Sequence, residues 1–365
     1  MNRRNWISRV TMGSAGLTLV PHLGISMPAA DNNRTYLRLG ANENPYGCSS
    51  EVLKVFNTAQ AEVNRYAFAT IPEVKTTLAD AFGYETNHVL IGPGSSGLLE
   101  AVVHFMLEGK GEITTATPTF DILPAMFARF NGNTNYIPLK KDHSLDLKGM
   151  LQKTQERPGL VYIVNPNNPI GHALNPQELR TFIKEVTPYS YVLIDEAYLE
   201  FSDSRESMIA MVKHPKVMVI KTFSKVYGLA GLRIGYGFAH PEWASALEKH
   251  MIFSGLPVSS PALTAVKIAL EDQAFVDFVV QKNKESRALL VDTLEGLGIS
   301  FIPSQTSFML FDISKYRGDF GADMKDKGII IGIRDYLDKK WCRVSMGTVE
   351  ETTTFCQVLH QLWNA

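Results

Sequence analysis

The sequence predicts an α/β protein with a large three-layer domain on a mostly parallel sheet and a smaller α+β domain. From about residue 85 to residue 240, short apolar, β-rich runs alternate with helical stretches. This alternation is typical of βαβ units, which place helices on both faces of a parallel sheet. After residue 240 the alternation stops, and helices are followed by several strands. The 365 residues suffice for about two domains, each with its own core.

The elements of the larger domain follow one another at short intervals. Predicted strands cover residues 89–91, 113–116, 136–137, 160–164, 191–194, 217–220 and 232–238. Predicted helices cover residues 98–107, about 121–130 and 145–152. A further helix is predicted to begin at Pro176, because Asn175 is a good N-cap and Glu178 completes a capping-box pattern.

The smaller domain is predicted from the last third of the chain. Two helical stretches come first, the second at about residues 274–297. Strands follow at 301–302, 307–313, 329–333 and 341–345, and an amphipathic helix at 350–363 comes last. We therefore expect an N-terminal arm at 31–64 that joins the small domain, a large domain at 65–250 and a small C-terminal domain at 251–365.

The composition excludes several classes of protein. With 45% apolar and 20% charged residues, the chain is not intrinsically disordered, and three cysteines are too few for a disulfide scaffold. Cys48, Cys342 and Cys356 match no metal-binding spacing, so we expect free thiols and no metal site. Acidic and basic residues balance to a net charge of -1, which argues against nucleic-acid binding. No apolar run reaches the roughly 20 residues of a membrane-spanning helix.

The charge is unevenly distributed at the N-terminus. Residues 1–30 contain Arg3, Arg4 and Arg9 and no acidic residue, and the rest of the chain has 33 basic and 37 acidic residues. The adjacent arginines precede a short, mildly apolar run and then small residues up to Ala30, which resembles a twin-arginine export signal. We expect cleavage near Ala29 or Ala30 and a periplasmic protein without stable membrane association. The alternative is an amphipathic extension that stays attached to a cytoplasmic protein.

The candidate site is predicted from the residues that follow the strands. In an open α/β sheet, ligands bind beyond the carboxyl ends of the strands. The residues at those positions combine backbone amides, an aromatic ring, carboxamides, a carboxylate and a lysine: Gly94-Ser95-Ser96, Phe120, Asn165 to Asn168, Asp195 with Tyr198, and Ser224-Lys225. They are far apart in the sequence, and the fold is expected to bring them to one edge.

These residue types suit an aromatic, phosphorylated aldehyde. The start of a helix at Gly94-Ser95-Ser96 offers free N–H groups to a phosphate, and Arg233 and Ser224 can bind its oxygens. Asp195 would be costly to bury unless a protonated ring nitrogen compensates it. Lys225 can form an imine with the aldehyde. Pyridoxal phosphate fits this description. Structural roles stay open for Asp195, as a helix cap, and for Phe120, as a core residue.

Three motifs carry a resemblance to a known family. Ser224-Lys225-Val-Tyr-Gly228-Leu-Ala-Gly231-Leu-Arg233, Asn165-Pro-Asn-Asn-Pro-Ile-Gly171 and Asp195-Glu-Ala-Tyr198 resemble the signatures of fold-type I, class I/II aminotransferases, in the same order. Within this family the likeness is greatest to the histidinol-phosphate aminotransferases. It includes Asn42-Glu-Asn-Pro-Tyr46-Gly47, Arg65-Tyr66 and Arg343-Val-Ser-Met-Gly-Thr348, and it extends from Leu37 to the C-terminus.

The resemblance implies a role for each matching residue. Lys225 is expected to bond to pyridoxal phosphate and to move the substrate proton, while Asp195 pairs with the ring nitrogen and Asn168 and Tyr198 contact the phenolic oxygen. The expected phosphate ligands are Ser95, Ser96, Ser224 and Arg233, with Tyr66 reaching in from a second subunit of a homodimer. Phe120 is expected to stack on the ring. The expected substrate-binding residues are Arg343 for the carboxylate, Arg334 for the distal end, and Asn42 and Tyr46 at the entrance; for Arg334 a solvated or ion-paired arginine is the alternative.

The implied activity is transamination between an amino donor and a 2-oxo acid. Histidinol phosphate and 2-oxoglutarate are the pair that the resemblance implies. Ser96-Gly97 replaces the usual Asp-Glu, Ala67-Phe68 follows Arg65-Tyr66 in place of Pro-Asp, and the segment between Arg334 and Arg343 is short. The alternatives are a decarboxylase or C–S lyase that uses the same cofactor, and a non-catalytic protein that binds pyridoxal phosphate or amines.

Overall fold

Two main β-sheets organise the chain, and the predicted α/β architecture with a mostly parallel sheet is confirmed. The computed structural model describes residues 36–59, 63–251, 255–336 and 338–364. The predicted export signal at 1–30 and the first residues of the predicted arm, 31–35, lie outside the described residues. The domain boundaries at 64/65 and 250/251 stay predictions.

The strands and helices are numbered here in chain order. The strands are β1 (Leu37–Arg38), β2 (Val89–Pro93), β3 (Glu112–Thr117), β4 (Thr134–Pro138), β5 (Gly159–Val164), β6 (Tyr191–Asp195), β7 (Val217–Thr222), β8 (Ile234–Ala239), β9 (Phe301–Ile302), β10 (Phe308–Asp312), β11 (Ile329–Ile330), β12 (Gly332–Tyr336) and β13 (Lys339–Ser345). The α-helices are α1 (Ser50–Ala59), α2 (Thr70–Phe82), α3 (Gly94–Glu108), α4 (Ile122–Arg129), α5 (Leu147–Glu156), α6 (Pro176–Val186), α7 (Pro241–Glu248), α8 (Ser260–Glu271), α9 (Gln273–Gly296), α10 (Phe320–Asp326) and α11 (Val349–Trp363).

The larger sheet has seven strands in the order β2-β8-β7-β6-β5-β3-β4. Strands β3 to β7 are parallel to their neighbours among themselves, and β8 is antiparallel to both β2 and β7. Every residue of β7 and β8 is buried, because helices cover both faces of the sheet. Two hydrophobic clusters, one on each face, account for the apolar runs in the sequence. The parallel strands therefore all end at the same edge.

Two boundaries in the larger domain differ from the predictions. Helix α3 begins at Gly94, directly after β2, and not at Leu98. The strand predicted at 232–238 begins at Ile234, because Ala230–Leu232 form a short 3₁₀ turn and Arg233 adopts a left-handed conformation with φ +52°. The two boundaries are in contact, since Gly94 N donates a hydrogen bond to Arg233 O (2.9 Å) and so joins these two turns at the sheet edge.

The smaller sheet is antiparallel, in the order β12-β13-β10-β9. One of its faces packs against α9, α10 and α11 through residues such as Phe311, Val344 and Phe355. The other face meets the segment after β5, where Trp341 and Leu310 pack against Ile170. The predicted strand at 329–333 is split in two, since β11 pairs in parallel with β1 of the N-terminal arm and β12 pairs with β13. Three helices, α7 to α9, stand where two helical stretches were predicted.

The predicted start of α6 is confirmed. Asn175 Oδ1 accepts hydrogen bonds from Gln177 N (2.9 Å) and Glu178 N (3.2 Å), and Pro176 is the first helical residue. A reciprocal capping box is formed at α11 by Thr348 and Glu351. These contacts satisfy amide groups that a helix leaves free in its first turn.

Candidate active site

Side chains from separate segments of the chain meet at the carboxyl edge of the larger sheet. Asp195 is the last residue of β6, and Asn168 lies in the loop after β5. Ser224 and Lys225 follow β7, whose neighbours are β6 and β8. This convergence arises because parallel strands direct their carboxyl ends to one edge. The structure thus groups the central part of the predicted site.

A cradle of backbone amides and polar side chains forms where β2 enters α3. Gly94 has φ +70°, and a Cβ at this position would collide with the guanidinium of Arg233. Gly235 lies against the backbone of Ser95 with no space for a Cβ. Arg233 Nη1 donates to Ser224 Oγ (3.4 Å) and Ala230 O (2.9 Å). The predicted phosphate ligands Ser224 and Arg233 are therefore in contact, beside the first turn of α3.

The two serines of the cradle occupy the first turn of α3. Ser96 Oγ donates to Pro93 O (3.3 Å), and both Ser95 and Ser96 are half-buried. The first amides of a helix have no intrahelical acceptor, and the helix dipole makes this end positive. The cradle can thus hold an anion with backbone N–H groups, two or three hydroxyls and one guanidinium.

Asp195 has a buried carboxylate that accepts two hydrogen bonds. It is 1% exposed, and it accepts from Ala197 N at Oδ1 (3.1 Å) and from Tyr162 OH at Oδ2 (3.2 Å). Among the described residues it forms no ion pair. Burial raises the pKa of Asp195 to about 6, and the backbone amide of Ala197 and the hydroxyl of Tyr162 only partly offset this effect. A cationic N–H group beside this carboxylate would stabilise its charged form.

Lys225 lies between the N-terminal arm and Tyr198. Its Nζ donates to Asn42 O (3.2 Å) and lies 5.3 Å from the centre of the Tyr198 ring. Asn42 Nδ2 donates to Tyr198 OH (3.0 Å), and Asn42 is held in turn by Ser345. Asn42 is 2% exposed, so it lies deeper than the entrance position predicted for it, because its amide bonds these interior partners.

Arg343 is a buried arginine at the junction of three segments. Its Nη1 donates to Asn168 Oδ1 (3.1 Å) and its Nη2 to Gly40 O (2.8 Å), so β13, the loop after β5 and the arm meet at one guanidinium. Its Nε is buried without a hydrogen-bond partner. Burial, and secondarily Arg334, lower the pKa of Arg343 to about 10. A buried guanidinium without an anionic partner is suited to binding a carboxylate.

Three further predicted residues surround this centre. Arg334 is paired with Trp341 across β12 and β13, on the same face of the small sheet as Arg343, and its Nη1 donates to Ile333 O (2.7 Å). Tyr46 accepts from Val349 N at its hydroxyl (3.3 Å), and burial raises its pKa. Phe120 is half-buried and packs on the core cluster of its sheet face, so both interpretations of this ring stay open.

Tyr66 is the one predicted residue that lies apart from the others. Its side chain is 78% exposed, and its ring is 5.6 Å from that of Phe68, which is 65% exposed. Two neighbouring exposed aromatic rings are unusual on a surface that faces only water. Because the ring of Tyr66 is exposed, it contributes nothing to the cradle of its own chain.

Sequence reasoning missed residues that support the site from the interior. Tyr162 lies within β5 and bonds Asp195, yet in the sequence it looks like one more core residue of a buried strand. Ser345 and Gly40 hold Asn42 and Arg343 through contacts about 300 residues apart in the chain. The one available signal was the hydroxyl of Tyr162, since a buried tyrosine usually needs a hydrogen-bond partner.

Three further observations on the described residues concern their cysteines, metal binding and membrane spans. The three cysteines are free, as predicted. In the described part of the chain, no cluster of three or more histidine, cysteine or acidic side chains is arranged to hold a metal ion. The described helices include none with the length and hydropathy needed to cross a membrane.

Comparison with known proteins gives a consistent set of relatives. The family model "Aminotransferase class I and II" matches residues 34–359. A histidinol-phosphate aminotransferase of Akkermansia muciniphila is 34% identical over 333 residues, which are 91% of each chain, and histidinol-phosphate aminotransferase 2 of Carboxydothermus hydrogenoformans is 32% identical over 88% of this chain and 90% of its own. The crystal structure of histidinol-phosphate aminotransferase from Sinorhizobium meliloti in complex with pyridoxal-5'-phosphate superposes with a TM-score of 0.84, at 26% identity, over 96% of this chain and 99% of that one.

Proposed function

The chain belongs to the class I and II aminotransferases, and on that premise we propose that the carboxyl edge of the larger sheet is its transamination centre, with Lys225 as the catalytic residue. The protein is a pyridoxal-phosphate-dependent transaminase of fold type I. The observation that carries the assignment of the site is the grouping of Lys225, Asp195, Asn168 and Arg343 at this edge.

The residues at the edge fit pyridoxal phosphate. The cradle at Gly94, where a Cβ would collide with Arg233, offers amides and a guanidinium to a phosphate. Asp195 is a buried carboxylate whose charge is incompletely compensated, which suits a protonated pyridine nitrogen. When bound, the cofactor supplies an electron-withdrawing ring that accepts the electron pair released at the substrate α carbon.

The chain's own residues then have distinct tasks. Asp195 holds its negative charge in a buried position at the end of β6, while Tyr162 and Ala197 fix its orientation. Lys225 Nζ would remove the proton from the α carbon of the donor and pass it to the cofactor, and in the second half-reaction it would carry a proton back to the α carbon of the new amino acid. Arg343 binds the α-carboxylate with its two terminal nitrogens and so fixes the position of the α carbon.

The substrate pair that we propose is histidinol phosphate or an amino acid as donor and 2-oxoglutarate as acceptor. The names of the relatives support the first donor, and the buried guanidinium of Arg343 supports α-amino acids. Arg334, on the same face as Arg343, is the residue that we propose for an anionic distal group. Tyr46 and Asn42 border the same region.

A donor panel tests the activity and the substrate together. The purified holoenzyme is mixed with histidinol phosphate or with aromatic and acidic amino acids, and the absorbance of the cofactor is followed. We expect conversion to the pyridoxamine form, turnover only when a 2-oxo acid is added, and complete loss of both in Lys225→Ala. Turnover without an oxo acid would indicate a decarboxylase or lyase, and an unchanged spectrum with every donor would indicate a binding protein.

We further propose that the active protein is a homodimer in which Tyr66 reaches the phosphate site of the neighbouring subunit. The exposure of Tyr66 and Phe68 supports this arrangement. Light scattering is expected to give twice the mass of the chain, and Tyr66→Phe is expected to weaken cofactor affinity without changing that mass. A monomer of full activity would contradict the proposal.

We also propose that residues 1–30 are a twin-arginine export signal and that the mature enzyme is periplasmic. The support is the pair Arg3-Arg4 ahead of a mildly apolar run. Cell fractionation is expected to find the shortened chain in the periplasm, and replacement of both arginines by lysine is expected to retain it in the cytoplasm. A full-length chain confined to the cytoplasm in both cases would refute export.

A further inference from the structure

A largely buried cluster of three charged side chains lies next to the proposed site, at the ends of β6 and β7. Lys221 Nζ is 3.4 Å from Glu196 Oε2 and 2.9 Å from Glu200 Oε1, and the three side chains are 7%, 1% and 17% exposed. No step of the proposed reaction uses this cluster.

Each of its contacts fixes a position next to a site residue. Glu196 directly follows Asp195, and Glu200 is two residues beyond Tyr198. Lys221 is the penultimate residue of β7, four residues before Lys225. One ammonium group therefore connects the segment that carries Asp195 and Tyr198 with the segment that carries Ser224 and Lys225.

The carboxylate of Glu196 accepts hydrogen bonds from three donors. Its Oε1 accepts from Met208 N (2.6 Å), and its Oε2 accepts from Ser207 Oγ (2.6 Å) as well as from Lys221 Nζ. One buried and one half-buried glutamate with one lysine leave an excess of one negative charge when all three are ionised, and burial makes this excess costly. Such a cluster adds little to stability compared with an apolar core of similar volume, so its value lies in the geometry that it imposes.

We propose that Lys221 is a positioning residue of the transamination site, which holds the turn from Asp195 to Glu200 against the end of β7 and neutralises carboxylates behind Asp195. This proposal rests on the proposed function, because it takes Asp195 and Lys225 to be the residues that meet the cofactor. It assigns Lys221 no contact with substrate or cofactor.

The ionisation of Asp195 and the ionisation of the cluster around Lys221 depend on each other. The titratable groups that act on Asp195 are Tyr162, Glu196 and Lys225, and those that act on Lys221 are Glu196, Glu200 and Tyr227. The charge of Glu196 raises the pKa of Asp195, and Lys221 lowers the pKa of Glu196 and so favours its ionised form. Removing Glu200 from the cluster makes the surroundings of the site less negative, which disfavours protonated cationic groups there.

The test compares variants of the full chain prepared without cofactor and then titrated with pyridoxal phosphate. In Lys221→Met we expect the dissociation constant for the cofactor to rise about tenfold or more, by analogy with the roughly 10–100-fold loss of metal affinity when a residue that supports a metal ligand is removed. Lys221→Arg is expected to restore affinity to within about threefold, because the longer side chain can reach both glutamates. Lys75→Met is the matched control, since it removes a half-buried lysine that pairs with Glu248 (2.7 Å) away from the site, and it should leave the dissociation constant unchanged.

A second readout separates positioning from a purely structural role. Glu200→Gln keeps nearly the same side-chain shape at the most exposed position of the cluster, and in it the pH midpoint of the absorbance change of the bound cofactor is expected to fall by a few tenths of a unit. If Glu200→Gln keeps the parental midpoint, or if Lys221→Met lowers the melting temperature but keeps the parental affinity, Lys221 is not a positioning residue. If the unaltered chain neither binds the cofactor nor transaminates, the proposed function fails, and this inference fails with it.

Discussion

Replacement of Asp195 by Asn should stabilise the cofactor-free protein and weaken its affinity for pyridoxal phosphate. Asp195 is 1% exposed, and its pKa rises from 3.8 to about 6 on folding. At 1.36 kcal/mol per pKa unit, holding this group ionised in the folded state costs about 3 kcal/mol. Asparagine has nearly the same shape, carries no charge and still accepts the hydrogen bond from Ala197 N.

The sign of the pH dependence follows from the direction of the shift. Because the folded-state pKa lies above the unfolded value, the folded protein holds the proton more tightly than the unfolded chain does. The contribution of Asp195 to the stability of the parent is therefore most favourable below about pH 4, falls as the pH rises to about 6, and stays about 3 kcal/mol lower above that. The difference between Asp195→Asn and the parent should shrink to about 0.5 kcal/mol at pH 4.

The assay is chemical denaturation of the two cofactor-free proteins at pH 4, 6 and 8. Asp80→Asn, on the exposed side of α2, is the matched control and should behave like the parent at each pH. In parallel, the dissociation constant for pyridoxal phosphate should rise strongly in Asp195→Asn only. Two results would contradict this expectation: Asp195→Asn is no more stable than the parent at pH 8, or its gain in stability is the same at pH 4. In either case the buried charge of Asp195 does not destabilise the cofactor-free protein.

Three further substitutions give results of different kinds. Arg343→Gln should raise the KM for amino-acid donors about 100-fold, with a smaller change in kcat, because it removes a buried charge partner for the carboxylate; steady-state kinetics with several donors measures this, and an unchanged KM would contradict it. Tyr198→Phe should lower the free energy of unfolding by about 1–3 kcal/mol, because the buried Asn42 Nδ2 loses its acceptor; denaturation of the cofactor-free protein measures this loss, and a change below about 0.5 kcal/mol would show that the amide finds another partner. Gly94→Ala should lower the affinity for inorganic phosphate and for the cofactor at least about tenfold, since φ is +70° and a Cβ would displace the Arg233 guanidinium; isothermal titration measures this, and full affinity would show that the cradle adapts.

The sequence alone predicts the alternating fold and most of the site, because both depend on local patterns. Apolar runs that end in polar residues mark the strands, and in a parallel sheet the ends of strands coincide. Asp195, Asn168 and Lys225 could therefore be placed together before their distances were known. Arg343 was reached through the motif around it, and its contacts with Asn168 and Gly40 now give that assignment a geometric basis.

The contacts that could not be predicted depend on how neighbouring strands are aligned with each other. The bond from Tyr162 to Asp195 requires that β5 and β6 align with Val164 opposite Asp195, and no pattern within either strand fixes that alignment. The contact of Lys221 with Glu196 depends in the same way on the pairing of β6 with β7. The left-handed conformation of Arg233 was missed because only glycine signals such a turn reliably.

The guanidinium of Arg343 already gives two hydrogen bonds to neutral oxygens, Asn168 Oδ1 and Gly40 O. Its buried Nε has no partner among the described residues, so an incoming ligand can bind there and can also compete with those two oxygens for the terminal nitrogens. A carboxylate offers its charge, whereas the amide or alcohol analogue of the same substrate offers nothing new. The resting contacts of the arginine thus favour a carboxylate over the corresponding amide.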